Sequence, residues 1–110
     1  MLLGSLFVSE DAERVLLFLT ARGEGYAKEI SDYYQRSIFG IQKQLEKFDA
    51  GGVLISRKIG RTRLYRFNPR YPLLDELRIL LKKAIQFLPE EEIKKLTIYR
   101  SRPRRKGKTL

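Results

Sequence analysis

Histidine and cysteine are both absent from this chain of 110 residues, and that removes much of the chemistry side chains perform near neutral pH. There is no imidazole or thiolate to act as nucleophile or proton shuttle, and a zinc, copper or arsenic site built on such ligands is excluded. What the chain has in quantity is fixed positive charge, with 23 Lys and Arg against 13 Asp and Glu. Guanidinium and ammonium groups bind carboxylates and phosphates through charge-assisted hydrogen bonds. Their placement narrows the choice. Residues 1–33 hold three basic and six acidic side chains, residues 34–70 hold nine and two, and residues 97–110 hold six and none. Arg57, Lys58, Arg61, Arg63 and Arg66 fall within ten positions, shortly after Lys43 and Lys47. Charge segregated in this way implies a polyanionic partner, with duplex DNA ahead of RNA and of an acidic membrane face.

The elements that must position these cations can be read from periodicity and punctuation. Ser9 caps a first helix whose opening turn carries Glu10, Asp11 and Glu13, where the helix dipole favours negative charge. Ala12, Val15, Leu16 and Leu19 form its core stripe. Leu17 falls off that stripe and is open to either a dimer contact or plain exposure. The apolar start, residues 1–8, lacks a basic leader and reads as a packed segment rather than a signal peptide. A short second helix spans residues 27–34, with Gln35 and Arg36 as the turn and Ser37 as the next cap.

The third helix runs from Ile38 to about Asp49, held by Ile41, Leu45 and Phe48 and stopped by Gly51 and Gly52. With about 100° per residue from Ile41, the positions of Arg36, Phe39, Gly40, Lys43 and Lys47 fall on the outward side, flanked by Gln42 and Gln44. Two alternating strands follow, residues 53–58 and 62–67, joined through Gly60 into a hairpin that carries the five clustered cations. Tyr65 and Phe67 anchor its second strand. Asn68-Pro69-Arg70-Tyr71-Pro72 makes a stiff connector. A fourth helix from Leu73 to Phe87 bears a wide apolar stripe, Leu73, Leu77, Leu80, Leu81, Ala84 and Leu88, which suits a dimer seam or packing within the monomer. Pro89 opens a fifth helix, and the run Glu90-Glu91-Glu92 reads as its first turn rather than a catalytic acidic cluster.

From residue 26 to about residue 81 the sequence resembles the ArsR-type winged helix-turn-helix transcriptional regulators. The residues that carry this are Glu29-Ile30, Ile41, Leu45, Phe48, Gly52-Val53-Leu54 and the run from Gly60 through Tyr65 to Pro69. Val15, Leu16, Phe18 and Leu19 fit that family's first helix. The resemblance implies a mainly α fold with a small β-hairpin, a winged helix-turn-helix with additional C-terminal helices. It also implies a recognition helix in the major groove of double-stranded DNA, and with the fourth-helix stripe as a seam the chain would act as a homodimer. The helix set expected at DNA, taken from the outward face of the third helix and its flanks, is Arg36, Ser37, Phe39, Gly40, Gln42, Lys43, Gln44 and Lys47. The wing set is Arg57, Lys58, Arg61, Arg63 and Arg66, and the dimer set is Leu17 with the fourth-helix stripe.

Two departures stand out. The family usually places a glycine and then an apolar residue where this chain has Gln35 and Arg36, and polar residues where it has Ile38, Phe39 and Gly40. Phe39 suits a thymine methyl, or packing on a neighbouring helix or a partner protein. Metal sensing, common in the family, lacks its histidine and cysteine ligands here.

The expectations are therefore a domain over residues 1–96 and a basic, disordered tail over 97–110. The function expected of the domain is sequence-specific DNA binding as a dimeric transcriptional regulator in the cytoplasm, without enzymatic activity, cofactor or membrane partner. The alternative is an adaptor module that binds a protein, such as a nucleotidyltransferase-type partner, through Ile38 and Phe39, with only non-specific nucleic-acid contacts.

Overall fold

A computed structural model describes residues 2–98. In chain order the elements are α1 (Gly4–Phe7), α2 (Glu10–Arg22), β1 (Glu24–Tyr26), α3 (Ala27–Tyr34), α4 (Ile38–Ala50), β2 (Leu54–Ile59), β3 (Thr62–Phe67), α5 (Leu74–Ile85) and α6 (Glu90–Ile98). The three strands form an antiparallel sheet in the order β1-β3-β2. α6 carries through Ile98, past the domain boundary expected at residue 96. The rest of the expected basic tail lies outside the described residues.

α2 is the axis of the molecule. Ser9 caps it by accepting a hydrogen bond from the Ala12 amide at 3.1 Å, and three acidic residues occupy its first turn. Val15, Leu16, Leu17, Phe18 and Leu19 are all buried, so this helix is enclosed on every side rather than along one stripe. The expectation of a free Leu17 is thereby corrected: it is 1% exposed and belongs to the same core as Ile30, Ile41 and Leu45. Off-stripe position means exposure only if α2 lies at the surface, and it does not.

Two elements have no counterpart in the sequence pattern. α1 is a single turn, and the buried Glu13 carboxylate holds its approach by accepting the Leu3 amide at 3.0 Å. β1 lies where Gly23 and Gly25 signal only the end of a helix. It pairs with β3 from Glu24↔Arg66 to Tyr26↔Leu64, which makes β3 the central strand and buries Leu64 and Tyr65 on its two faces. A Cβ on Gly25 would lie 2.8 Å from the Phe18 ring, so only glycine lets β1 pass that close to α2.

The fourth-helix stripe divides. Leu74, Leu81 and Ala84 are buried within the chain, and Leu77, Ile85 and Leu88 pack partly against the same core. The reading of Leu81 and Ala84 as free dimer contacts is therefore also corrected. Burial of a leucine such as Leu81 is worth about 1.5–3 kcal/mol to the folded chain. Leu73, Ile79, Leu80 and Phe87 remain exposed. α6 folds back on α2, where the Arg22 guanidinium donates to the Leu96 carbonyl at 3.0 Å and lies 4.5 Å from the Phe18 ring centre.

Candidate nucleic-acid interface

The turn between α3 and α4 is closed by reciprocal bonds. Arg36 N–H donates to the Ser31 carbonyl at 3.0 Å, and the Ser31 hydroxyl donates to the Arg36 carbonyl at 2.6 Å. Gln35 sits at φ 55°, the left-handed region that favours glycine, which explains why glycine is usual at this position. Ser37 then caps α4 by accepting the Phe39 amide at 3.2 Å. Its hydroxyl oxygen accepts at the helix end, which leaves its O–H free to donate.

The Asp11 carboxylate, reaching over from α2, controls the start of α4. Its Oδ1 accepts from Arg14 at 2.8 Å and from Arg36 at 3.2 Å. Its Oδ2 lies so near Gly40 that a Cβ there would be 2.7 Å away. Two site expectations change as a result. Arg36, whose side chain stays half-exposed, is tied to α2 through its Nε, and Gly40, expected among the contacting residues, makes room for the Asp11 carboxylate. Neither fact is legible in the sequence, because each joins residues 25 or more positions apart. A third change concerns Gln44, which is half-buried, its amide oxygen enclosed and without a partner among the described residues.

Ile41 and Leu45, both fully buried, fix which side of α4 faces out. That side presents Phe39, 75% exposed, with Gln42, Lys43, Glu46 and Lys47. Gln42 donates to the Glu46 carboxylate at 3.2 Å. Glu46 is absent from the set expected on this face, because a polyanion partner directs attention to cations. Its position could have revealed it: about 140° from Ile41 at 100° per residue, on the outward side.

The wing divides its charges by strand register. Leu54↔Phe67, Ser56↔Tyr65 and Lys58↔Arg63 share the face that packs toward α4. Arg57 and Arg66 point to the opposite face, and Arg61 lies in the turn between the strands. The five cations thus do not form one surface. Ser56 links wing to helix by donating to Asp49 at 2.8 Å and accepting from Arg63 at 3.1 Å. Burial raises the Tyr65 phenol above its ordinary pKa, helped by the carboxylates of Asp49 and Glu46.

Between α4 and the wing lies an open cleft of about 810 Å³. Lys58, Arg61 and Arg63 line one wall, Ile38, Gln42, Glu46 and Asp49 the other, and Tyr26 and Lys28 the end. Lys43, Lys47, Lys58 and Arg61 are exposed and make no ion pair among the described residues. Lys58 and Arg63 face each other directly across the strands, a like-charge pairing that disfavours the empty hairpin. Among the described residues no group of acidic side chains could hold a metal ion, and no helix is long and apolar enough to cross a membrane.

No protein-family model matches this chain, and no curated protein matches it. Among solved structures, a mutant of ZitR from Lactococcus lactis in its apo form is similar at TM-score 0.52 and 17% identity, over 91% of this chain and 87% of that one. A second structure of the mutant gives TM-score 0.48 and 16% identity over 82% and 69%. At this identity the first likeness speaks for the fold. Mainly helical, with a small antiparallel sheet ending in a hairpin, the chain has the winged-helix fold.

Proposed function

We propose that this chain is a DNA-binding transcriptional regulator of the ArsR type, with α4 entering the major groove and the wing on the flanking backbone or minor groove. The observation that carries this reading is a set of exposed cations that make no ion pair among the described residues, Lys58 and Arg61 on the wing wall of the cleft and Lys43 and Lys47 on the outward face of α4. A phosphate strand in the cleft would relieve the repulsion between Lys58 and Arg63. The basic residues after Ile98 would add sequence-independent affinity.

The test is a titration of random duplex DNA at several salt concentrations with the chain and with Arg61→Ala plus Arg63→Ala. Removing one cation from a phosphate lowers the magnitude of the log–log salt slope by about 0.9. The double variant should bind more weakly with its melting temperature nearly unchanged, since exposed arginines contribute little to folding. An unchanged slope and affinity in a folded double variant removes the wing from the mechanism. That result would favour the adaptor reading, whose support is the exposure of Ile38 and Phe39 at the start of α4.

The regulator would act as a two-fold dimer addressing half-sites about 34–36 Å apart. Support comes from Leu73, Leu80 and Phe87, spaced seven residues apart and exposed, with Leu2, Leu6 and Val8 exposed at the other end of the chain. Light scattering at about tens of micromolar should report twice the chain mass. A monomer at that concentration overturns the dimer.

A further inference from the structure

We propose that Gln42, oriented by Glu46, and Phe39 select an A·T base pair by its major-groove edge. This specificity rests on the duplex-binding reading above. Phe39, Gln42, Lys43 and Glu46 lie within about 100° of arc on α4, opposite the buried Ile41, and all four are exposed. Lys43 can only donate and Phe39 has no polar atom, so Gln42 and Glu46 supply the face's side-chain acceptors.

The pairing of those two residues settles how the glutamine is turned. An ionised carboxylate only accepts, so the group that Gln42 directs at Glu46 is its amide NH₂, at 3.2 Å. One N–H is used there, which leaves one N–H donor and the carbonyl oxygen. That pair complements adenine, whose major-groove edge offers the N7 acceptor and the N6 amino donor. Guanine presents acceptors at both N7 and O6, so the Gln42 oxygen would face O6 and the Glu46 carboxylate would add repulsion. Phe39, one turn earlier on the same face, offers an apolar surface suited to the C5-methyl of thymine. Glu46 is thus a positioning residue for Gln42 and a source of rejection for the wrong base.

Three alternating duplexes of equal length separate the parts of this proposal. A·T carries the adenine edge and the methyl, and A·U keeps the edge without the methyl. I·C keeps an A·T-like minor groove but shows a G·C-like major groove, so the wing cannot tell it from A·T by minor-groove chemical groups. Fluorescence anisotropy with the full chain should rank them A·T, then A·U, then I·C, with about tenfold or more between the extremes. Gln42→Ala should remove most of the preference for A·U over I·C, weakening A·U by loss of the adenine bonds and tightening I·C by relief of the repulsion at O6. Phe39→Ala should erase only the difference between A·T and A·U. Glu46→Ala should tighten binding to all three by removing a negative charge, yet shrink the ratio of A·T to I·C. Circular dichroism confirms folding of each variant. Equal affinity for the three duplexes, or a preference for A·U over I·C that Gln42→Ala leaves at full size, overturns the proposal and leaves duplex binding standing. Absence of binding to every duplex overturns both.

Discussion

α2 and α4 are each thirteen residues long and each capped by a serine, Ser9 and Ser37, yet they have opposite surroundings. α2 buries five successive residues from Val15 to Leu19, whereas α4 fully buries only Ile41 and Leu45 and turns Phe39, Gln42, Lys43, Glu46 and Lys47 outward. Their first turns differ as well. α2 opens with three acids and α4 with none, and Asp11 of α2 fills the gap by lying against Gly40 of α4. One helix therefore serves as scaffold and sets a carboxylate against the first turn of its neighbour, which is left free to present a surface. A helix built to present a surface can spare few residues for its own stability.

The largest effect should come from taking Leu17 away from α2. Leu17→Ala should cost about 2–5 kcal/mol by urea denaturation, because the side chain is fully enclosed. Phe39→Ala, which removes a larger side chain from α4, should change stability by about 0.5 kcal/mol or less. Equal losses at the two positions would break the contrast between scaffold and presenting surface.

Most of this contrast is legible in the residues, and the part that is not has a common cause. The serine caps, the periodicity of Ile41 and Leu45, and the alternation of the hairpin are local signals, and the elements appear where those signals place them. β1 gives no such signal, since three residues including a glycine cannot establish alternation. The enclosure of Leu17, the tie between Arg36 and Asp11, and the reason for Gly40 depend on which helices meet. Periodicity names a buried face but does not count how many neighbours cover a helix. Glu46 escapes for a different reason: a polyanion partner points to cations, and an acid that orients a neighbouring amide carries no such sign.

A double-mutant cycle sharpens the role given to Asp11. Alanine is favoured over glycine inside a helix by about 0.8–1.0 kcal/mol. In the wild-type background Gly40→Ala should gain little or nothing, because its new methyl must displace the carboxylate held by Arg14 and Arg36. With Asp11→Ala already present, the same substitution should stabilise by nearly the full propensity difference. The two urea midpoints then give a coupling of about 1 kcal/mol. Additive effects would mean that Asp11 moves aside at no cost and does not govern the start of α4.

The smallest effect concerns the turn that delivers α4 from α3. Gln35 ends α3 in the left-handed region, with its amide donating to the Asp32 carbonyl at 3.3 Å. That conformation costs an L-residue about 1–2 kcal/mol relative to its normal helix geometry, a penalty glycine escapes. Glycine in turn loses more backbone freedom on folding, which offsets about 0.5–1 kcal/mol. The difference predicts that Gln35→Gly raises stability by about 0.5–1 kcal/mol, a gain at a position where most substitutions destabilise. The helix-cap hydrogen bonds involve only backbone atoms and survive the change. DNA affinity should stay the same, since the Ser31 and Arg36 bonds that set the angle of α4 are untouched. A loss of affinity without loss of stability would show that the Gln35 side chain itself reaches the nucleic acid. The contacting surface would then begin in the turn, ahead of the helix that the scaffold holds out.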